Sequence, residues 1–133
     1  MYRGLMHKHP HDAVREFHEA FNLPVGSRPN LPTHDVRTLR QNLLREEFTE
    51  YMDAEHTDDI VEIADALADI IYIACGTAVA YGIPLDDVFA EVHRSNMAKL
   101  GPDGKPIYRD DGKVLKPADW SPPDVRGILE QAS

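Results

Sequence analysis

The chain has 133 residues, 42% hydrophobic and 28% charged, the proportions of an ordinary soluble globular domain with room for one core. A formal net charge of −9 argues against a duplex nucleic-acid binder, which needs a basic face, and suits solubility or the gathering of cations. No run approaches a membrane span, no signal-peptide core opens the chain, and the lone Cys75 cannot form an internal disulfide, so a cytoplasmic protein without a membrane partner is expected.

Residues 1–9 read as a flexible lead-in, in which His7, His9 and His11 alternate as a solvated tail or a stray transition-metal site. Pro10 suits the first position of a helix whose face carries Val14, Phe17, His18 and Phe21 and which ends near Asn22. Pro24, Gly26, Pro29 and Pro32 make a loop. Thr33 is an N-cap for a second helix to about Glu55. Thr57 reads as the next N-cap, with Asp58 and Asp59 in the first turn. The third helix, Ile60 to Tyr81, is apolar nearly all round and stops at Gly82. Pro84 starts a fourth, which fades near Lys99. Beyond it, Gly101 to Gly104 is turn chemistry, and Asp110-Asp111-Gly112 is a hairpin tip joining 106–108 to 114–116. Trp120 and Pro122-Pro123 lead into a short helix, Asp124 to Glu130. The expectation is one domain over 1–133, with a helical core at 10–99 and a tail at 100–133.

Two acidic clusters interrupt helix faces that otherwise continue as apolar stripes. Counted at about 100° per residue, Val36, Leu43, Glu50 and Ala54 fall within roughly 60° of Glu47, and Asp65, Asp69, Ile73, Gly76 and Ala80 fall in a similar arc from Glu62. Glu46 lies one step round the cylinder from Glu47. Uncompensated carboxylates on a packed face are costly, and a divalent cation would compensate them. Oxygen donors without a His or Cys partner suit Mg²⁺, or Mn²⁺, better than zinc. The competing reading makes some of these acids surface residues paired with Arg40 or Arg45. Near the end of the fourth helix, Arg94, Asn96 and Lys99 could serve a phosphorylated ligand, or could simply complement the helix C-terminus. Gly76 in mid-helix implies close approach of a neighbour or room for a ligand. Tyr108 and Trp120 could stack on a base or pack the tail onto the helices.

Glu46-Glu47-x-x-Glu50, Ala68-Asp69-Ile70-Ile71-Tyr72, Gly76-Thr77-Ala78, Tyr81-Gly82-Ile83 and Glu91 to Lys99 together resemble the MazG-like all-α nucleoside triphosphate pyrophosphohydrolases. The tail, Gly104-Lys105-Pro106 through Lys116, resembles the short phosphoribosyl-ATP pyrophosphohydrolase-like branch. The resemblance covers roughly residues 36–127. It implies a four-helix MazG-like bundle with an irregular C-terminal tail, homodimeric or homotetrameric. It also implies hydrolysis of a nucleoside triphosphate, with a deoxynucleotide favoured, to monophosphate and pyrophosphate. Glu47, Glu50 and Asp69 would then hold Mg²⁺, Glu46 would serve the attacking water, and Asn96, Lys99 and Arg94 would meet phosphate. The family's Glu-x-x-Asp motif places Ala66 where its glutamate belongs if the aspartate is Asp69, so Glu62 or Asp65 would supply the missing oxygen. Phosphoribosyl-ATP is the alternative substrate, and a non-catalytic nucleotide-binding or helical interaction module is the alternative role. A di-iron bundle would want a Glu-x-x-His pair, which the acidic clusters lack.

Overall fold

The computed structural model describes residues 8–133, so His7 and most of the expected lead-in lie outside the described residues. Among the described residues the chain is all-α, with β pairing limited to one isolated antiparallel bridge between Tyr108 and Val114. The helices are α1 Pro10–Ala20, α2 His34–Glu55, α3 Ile60–Tyr81, α4 Leu85–Met97 and α5 Val125–Gln131. They divide between two compact units, the first ending at Ile83 and the second running Pro84–Ser133.

In the first unit α1 and α2 each pack along α3. The buried residues of α3 are small or slender (Ala66, Cys75, Gly76, Ala78, Val79 and Ala80), which lets neighbouring backbones come close. Val14 and His18 face it from α1, and Arg40 and Ala54 are the buried residues of α2. Most large side chains remain outside this core: Phe48, Met52, Leu67 and Ile71 are all exposed.

Gly82 ends α3 in the left-handed conformation, φ 70°, where a side chain is strained. The loop before α2 then lies against that end: Gly26 N–H donates to the Val79 carbonyl at 2.8 Å and Asn30 N–H to that of Tyr81 at 3.0 Å. A Cβ at Gly26 would sit 2.5 Å from the Gly82 nitrogen, so the approach needs glycine.

Two sequence expectations change here. The cap of α3 is Asp59, whose side chain accepts from Val61 N–H at 2.9 Å, rather than Thr57. The Thr57 hydroxyl instead donates to the Ala54 carbonyl at 2.6 Å and accepts from Asp59 N–H, bridging the end of α2 to the turn, which Asp58 completes with φ 54°. Second, α3 is long and apolar enough to cross a membrane by length and composition, contrary to the expectation that no run would be. A core helix of a packed domain meets the same measure, and α3 carries Asp65 and Asp69 and receives the buried Arg40.

In the second unit, the four carbonyls that a helix C-terminus leaves without helical partners are all satisfied. Ala98 N–H donates to Arg94 O, Lys99 N–H to Asn96 O and Leu100 N–H to Met97 O, at 2.9, 3.1 and 3.2 Å. The fourth, Ser95 O, accepts from the indole Nε1–H of Trp120 at 2.6 Å. Trp120 therefore packs the tail onto α4, the second of the two roles its sequence context allowed. Trp120→Phe keeps the ring but leaves Ser95 O on a buried residue unpaired. It is expected to cost about 1–3 kcal/mol, read as a lower urea midpoint. The hairpin at Asp110–Gly112 forms as expected, with Arg109 N–H on Lys113 O and Leu115 N–H on Ile107 O. Asp124 caps α5 through Gly127 N–H at 3.0 Å.

Candidate functional site

Helical spacing puts Glu47 and Glu50 on one face of α2, and α3 packs alongside with Asp69 on the facing side. One carboxylate oxygen from each of Glu47, Glu50 and Asp69 lies within 4.8 Å of the other two. Glu47 and Asp69 are half-buried, Glu50 is exposed, and Glu47 Oε2 is buried with no hydrogen-bond partner. A buried carboxylate oxygen without a donor is expensive in a protein with nothing to offset it.

Burial pushes the Glu47 carboxyl above its ordinary range, and the adjacent Glu50 carboxylate adds to it, followed by Asp69 and Glu46. Burial likewise raises Asp69, helped by the charges of Asp65 and then Glu50. The metal-free folded protein thus holds protons on these groups that the unfolded chain has released. By linkage, stability from this pair is present at mildly acidic pH and is lost as pH rises from the ordinary carboxylate range through the raised values. Glu91 and Asp111 are lowered, by Arg94 and Arg109 respectively, and act in the opposite sense below the ordinary range. Chelator-treated protein is therefore expected to melt higher just above the ordinary carboxylate range than at neutral pH. The difference should shrink in the Glu47→Gln, Asp69→Asn double variant, and a pH response identical to the parent's would contradict it.

The remaining predicted ligands sit close by. Glu62 and Asp65 line an open groove of about 330 Å³ together with Glu50, Asp53, Ala54 and Thr57. Of the two, Asp65 is the one whose charge bears on Asp69. Ala66 is buried and carries no donor. Asp53 was missed in the sequence, although its place three residues after Glu50 on α2 was the available signal. Glu46 is exposed and reaches the cluster through its charge on Glu47, outside the group of three close oxygens.

The basic residues are distributed differently from expectation. Arg40 is not a surface partner of the acids: it is buried, with Nε donating to Thr77 Oγ1 at 3.1 Å and Nη2 to the Ile73 carbonyl at 2.9 Å. It lies over Gly76, where an added Cβ would collide with its guanidinium and stand 3.0 Å from His18 Nε2. The glycine thus makes room for a side chain, one of the two uses its position allowed. Arg45 donates to Asn42 Oδ1. In the second unit Arg94 grips Glu91 through two bonds, 2.5 and 3.2 Å, and Glu91 also accepts from Asp124 N–H. That ties Arg94, through Glu91, to the α4–α5 joint. Asn96 is exposed, and the Lys99 ammonium stands 5.9 Å from the Trp120 ring centre.

An all-α chain that draws acidic side chains from two packed helices to one point, with oxygen donors only, has the architecture of a MazG-like nucleoside triphosphate pyrophosphohydrolase. The family model of phosphoribosyl-ATP pyrophosphohydrolase matches residues 14–96, more than half of the chain, and the chain belongs to that family. It is 28% identical over 128 residues to an uncharacterised protein of Acanthamoeba polyphaga mimivirus, covering 92% of this chain and 49% of that one. The chain thus spans about half the length of that curated relative. It is also similar to the crystal structure of a candidate NTP pyrophosphohydrolase from Exiguobacterium sp. 255-15, with 26% identity and a TM-score of 0.47, covering 96% of this chain and 95% of that one.

Proposed function

We propose that the protein hydrolyses a nucleoside triphosphate, with a deoxynucleotide favoured, between the α and β phosphates, in a reaction that depends on Mg²⁺ or Mn²⁺. The observation that carries this reading is the convergence of Glu47, Glu50 and Asp69 around a buried, partnerless carboxylate oxygen. Their spacing is within a small side-chain rotation of the roughly 4 Å that two oxygens on one Mg²⁺ can span. Glu47, Glu50 and Asp69 would hold the ion, and Asp65, nearer in effect to Asp69 than Glu62 is, would be the fourth donor. A bound divalent ion supplies charge neutralisation for the phosphates. Glu46, exposed beside Glu47, would take the proton of the attacking water as its oxygen joins the α-phosphorus and pyrophosphate departs. Asn96, Lys99 and Arg94 are proposed as phosphate contacts on their own chemistry.

The match to the phosphoribosyl-ATP pyrophosphohydrolase model favours a second reading in which phosphoribosyl-ATP is the substrate. Pyrophosphate release from a panel of ribo- and deoxyribonucleoside triphosphates and phosphoribosyl-ATP, with Mg²⁺, Mn²⁺ or chelator, separates the two. Metal-dependent release from one or more triphosphates supports the proposal. Release from phosphoribosyl-ATP alone replaces it with the second reading. Silence with folded protein favours a non-catalytic nucleotide-binding role, for which Ala66 is the residue to examine. We further propose that the exposed Phe48, Leu67 and Ile71 are covered in a homodimer or homotetramer, which a monomer in light scattering would refute.

A further inference from the structure

The tail of the second unit brings two lysines to one ring. Lys116 Nζ stands 4.4 Å from the Trp120 ring centre and Lys99 Nζ 5.9 Å from it. The ring itself is fixed, because its N–H is spent on the Ser95 carbonyl. The main chain of Lys99 is held at the end of α4 by its N–H bond to Asn96 O. Among the described residues, neither ammonium takes part in a salt bridge, whereas Arg94 and Arg109 each do.

Two ammonium groups thus share one indole with no carboxylate to neutralise either, in a chain of net charge −9. A helix C-terminus accounts for about half a charge, and cation–π attraction for one ammonium over the ring. The surplus is positive, and the ammonium donors that the ring does not use remain available.

We propose that Lys99 and Lys116, positioned by Trp120, form a site for a phosphate-bearing anion, either free pyrophosphate or the polyphosphate of a nucleotide. Lys116 and Trp120 are thereby added to Lys99. The choice of phosphate compound rests on the pyrophosphohydrolase reading; the binding does not. Lys116 contacts the anion directly, while Trp120 acts as a positioning residue.

The test is calorimetric titration of the full chain with inorganic pyrophosphate, and separately with a deoxynucleoside triphosphate, in excess chelator and at constant ionic strength. Trp120 is the single tryptophan, so its emission reports the same site during the titration. Saturable pyrophosphate binding is expected, weakened at least about tenfold by either Lys99→Met or Lys116→Met and unchanged by Lys113→Met. Binding of the nucleotide but not of pyrophosphate, with the same two lysines required, assigns the site to substrate rather than product and still supports it. No saturable binding of either compound, or binding that Lys116→Met leaves intact, overturns the proposal. Because no turnover is measured, an inactive enzyme that still binds through these lysines would remove the catalytic reading and leave the anion site standing.

Discussion

Asp69→Asn and Glu47→Gln are each expected to lower metal-dependent pyrophosphate release by at least about a hundredfold, the scale on which a single preorganised electrostatic group is lost. Each substitution exchanges an anionic oxygen of the close group for a neutral amide and changes side-chain volume little. The fold should not suffer. In the metal-free protein Glu47 is already held toward its protonated form by burial and by Glu50, so removing its charge relieves repulsion. The variants are expected to melt at or above the parent's temperature in chelator at neutral pH and to lose the stabilisation that Mg²⁺ gives the parent. Activity and stability thus move in opposite directions, which a merely structural role for these carboxylates does not allow. Asp53→Asn, in the same groove but outside the close group, should cost less activity than either. Parent-level turnover in both Asp69→Asn and Glu47→Gln would remove the metal-ligand assignment.

Gly76→Ala is expected to destabilise the first unit, against the direction that helix propensity gives. On helix propensity alone alanine should gain about 1 kcal/mol. That gain is outweighed because the new methyl group enters the space taken by the Arg40 guanidinium and crowds His18 Nε2. Arg40 has little freedom to retreat while it is buried and bonded to both Ile73 O and Thr77 Oγ1, and His18 is tied through Nδ1 to the Pro24 carbonyl at 2.8 Å. A net loss of about 1–3 kcal/mol is expected from overpacking. The loss should be markedly smaller in an Arg40→Met background, since a flexible, uncharged side chain can move aside. A Gly76→Ala protein as stable as the parent would show that Arg40 has another low-energy position.

The contrast between these two sites explains how far the sequence could be read. Glu47, Glu50 and Asp69 were legible because charge on a face that should be apolar breaks a periodic pattern, and periodicity is what a helix writes into its sequence. The bounds of α2 and α3 were legible for the same reason, reinforced by Gly82, whose left-handed conformation is a local requirement. Arg40 was not legible: a buried arginine shares its face with Val36, Leu43 and Glu47, and nothing in its neighbours distinguishes a guanidinium turned inward to a carbonyl on another helix from one turned outward to a carboxylate. The pairing of Arg94 was hidden for a related reason. Its partner Glu91 is three residues away and visible, but Glu91 gains its hold from Asp124 N–H, thirty-three positions later. Asp59 displaced Thr57 as the cap because both are good capping residues, and only the turn geometry at Asp58 decides between them.

The bond from Trp120 to Ser95 also imposes an order on synthesis. A helix that could close on its own neighbours would be finished as soon as it was made. The last turn of α4 instead waits for an indole twenty-five residues downstream. At about 5–20 residues per second that is a delay of roughly one to five seconds, during which the carbonyl of Ser95 lacks the partner it has in the finished fold. The second unit is therefore the late-maturing part of the nascent chain, and a stall anywhere between Ser95 and Trp120 would leave its helix end open to whatever else the cell offers it.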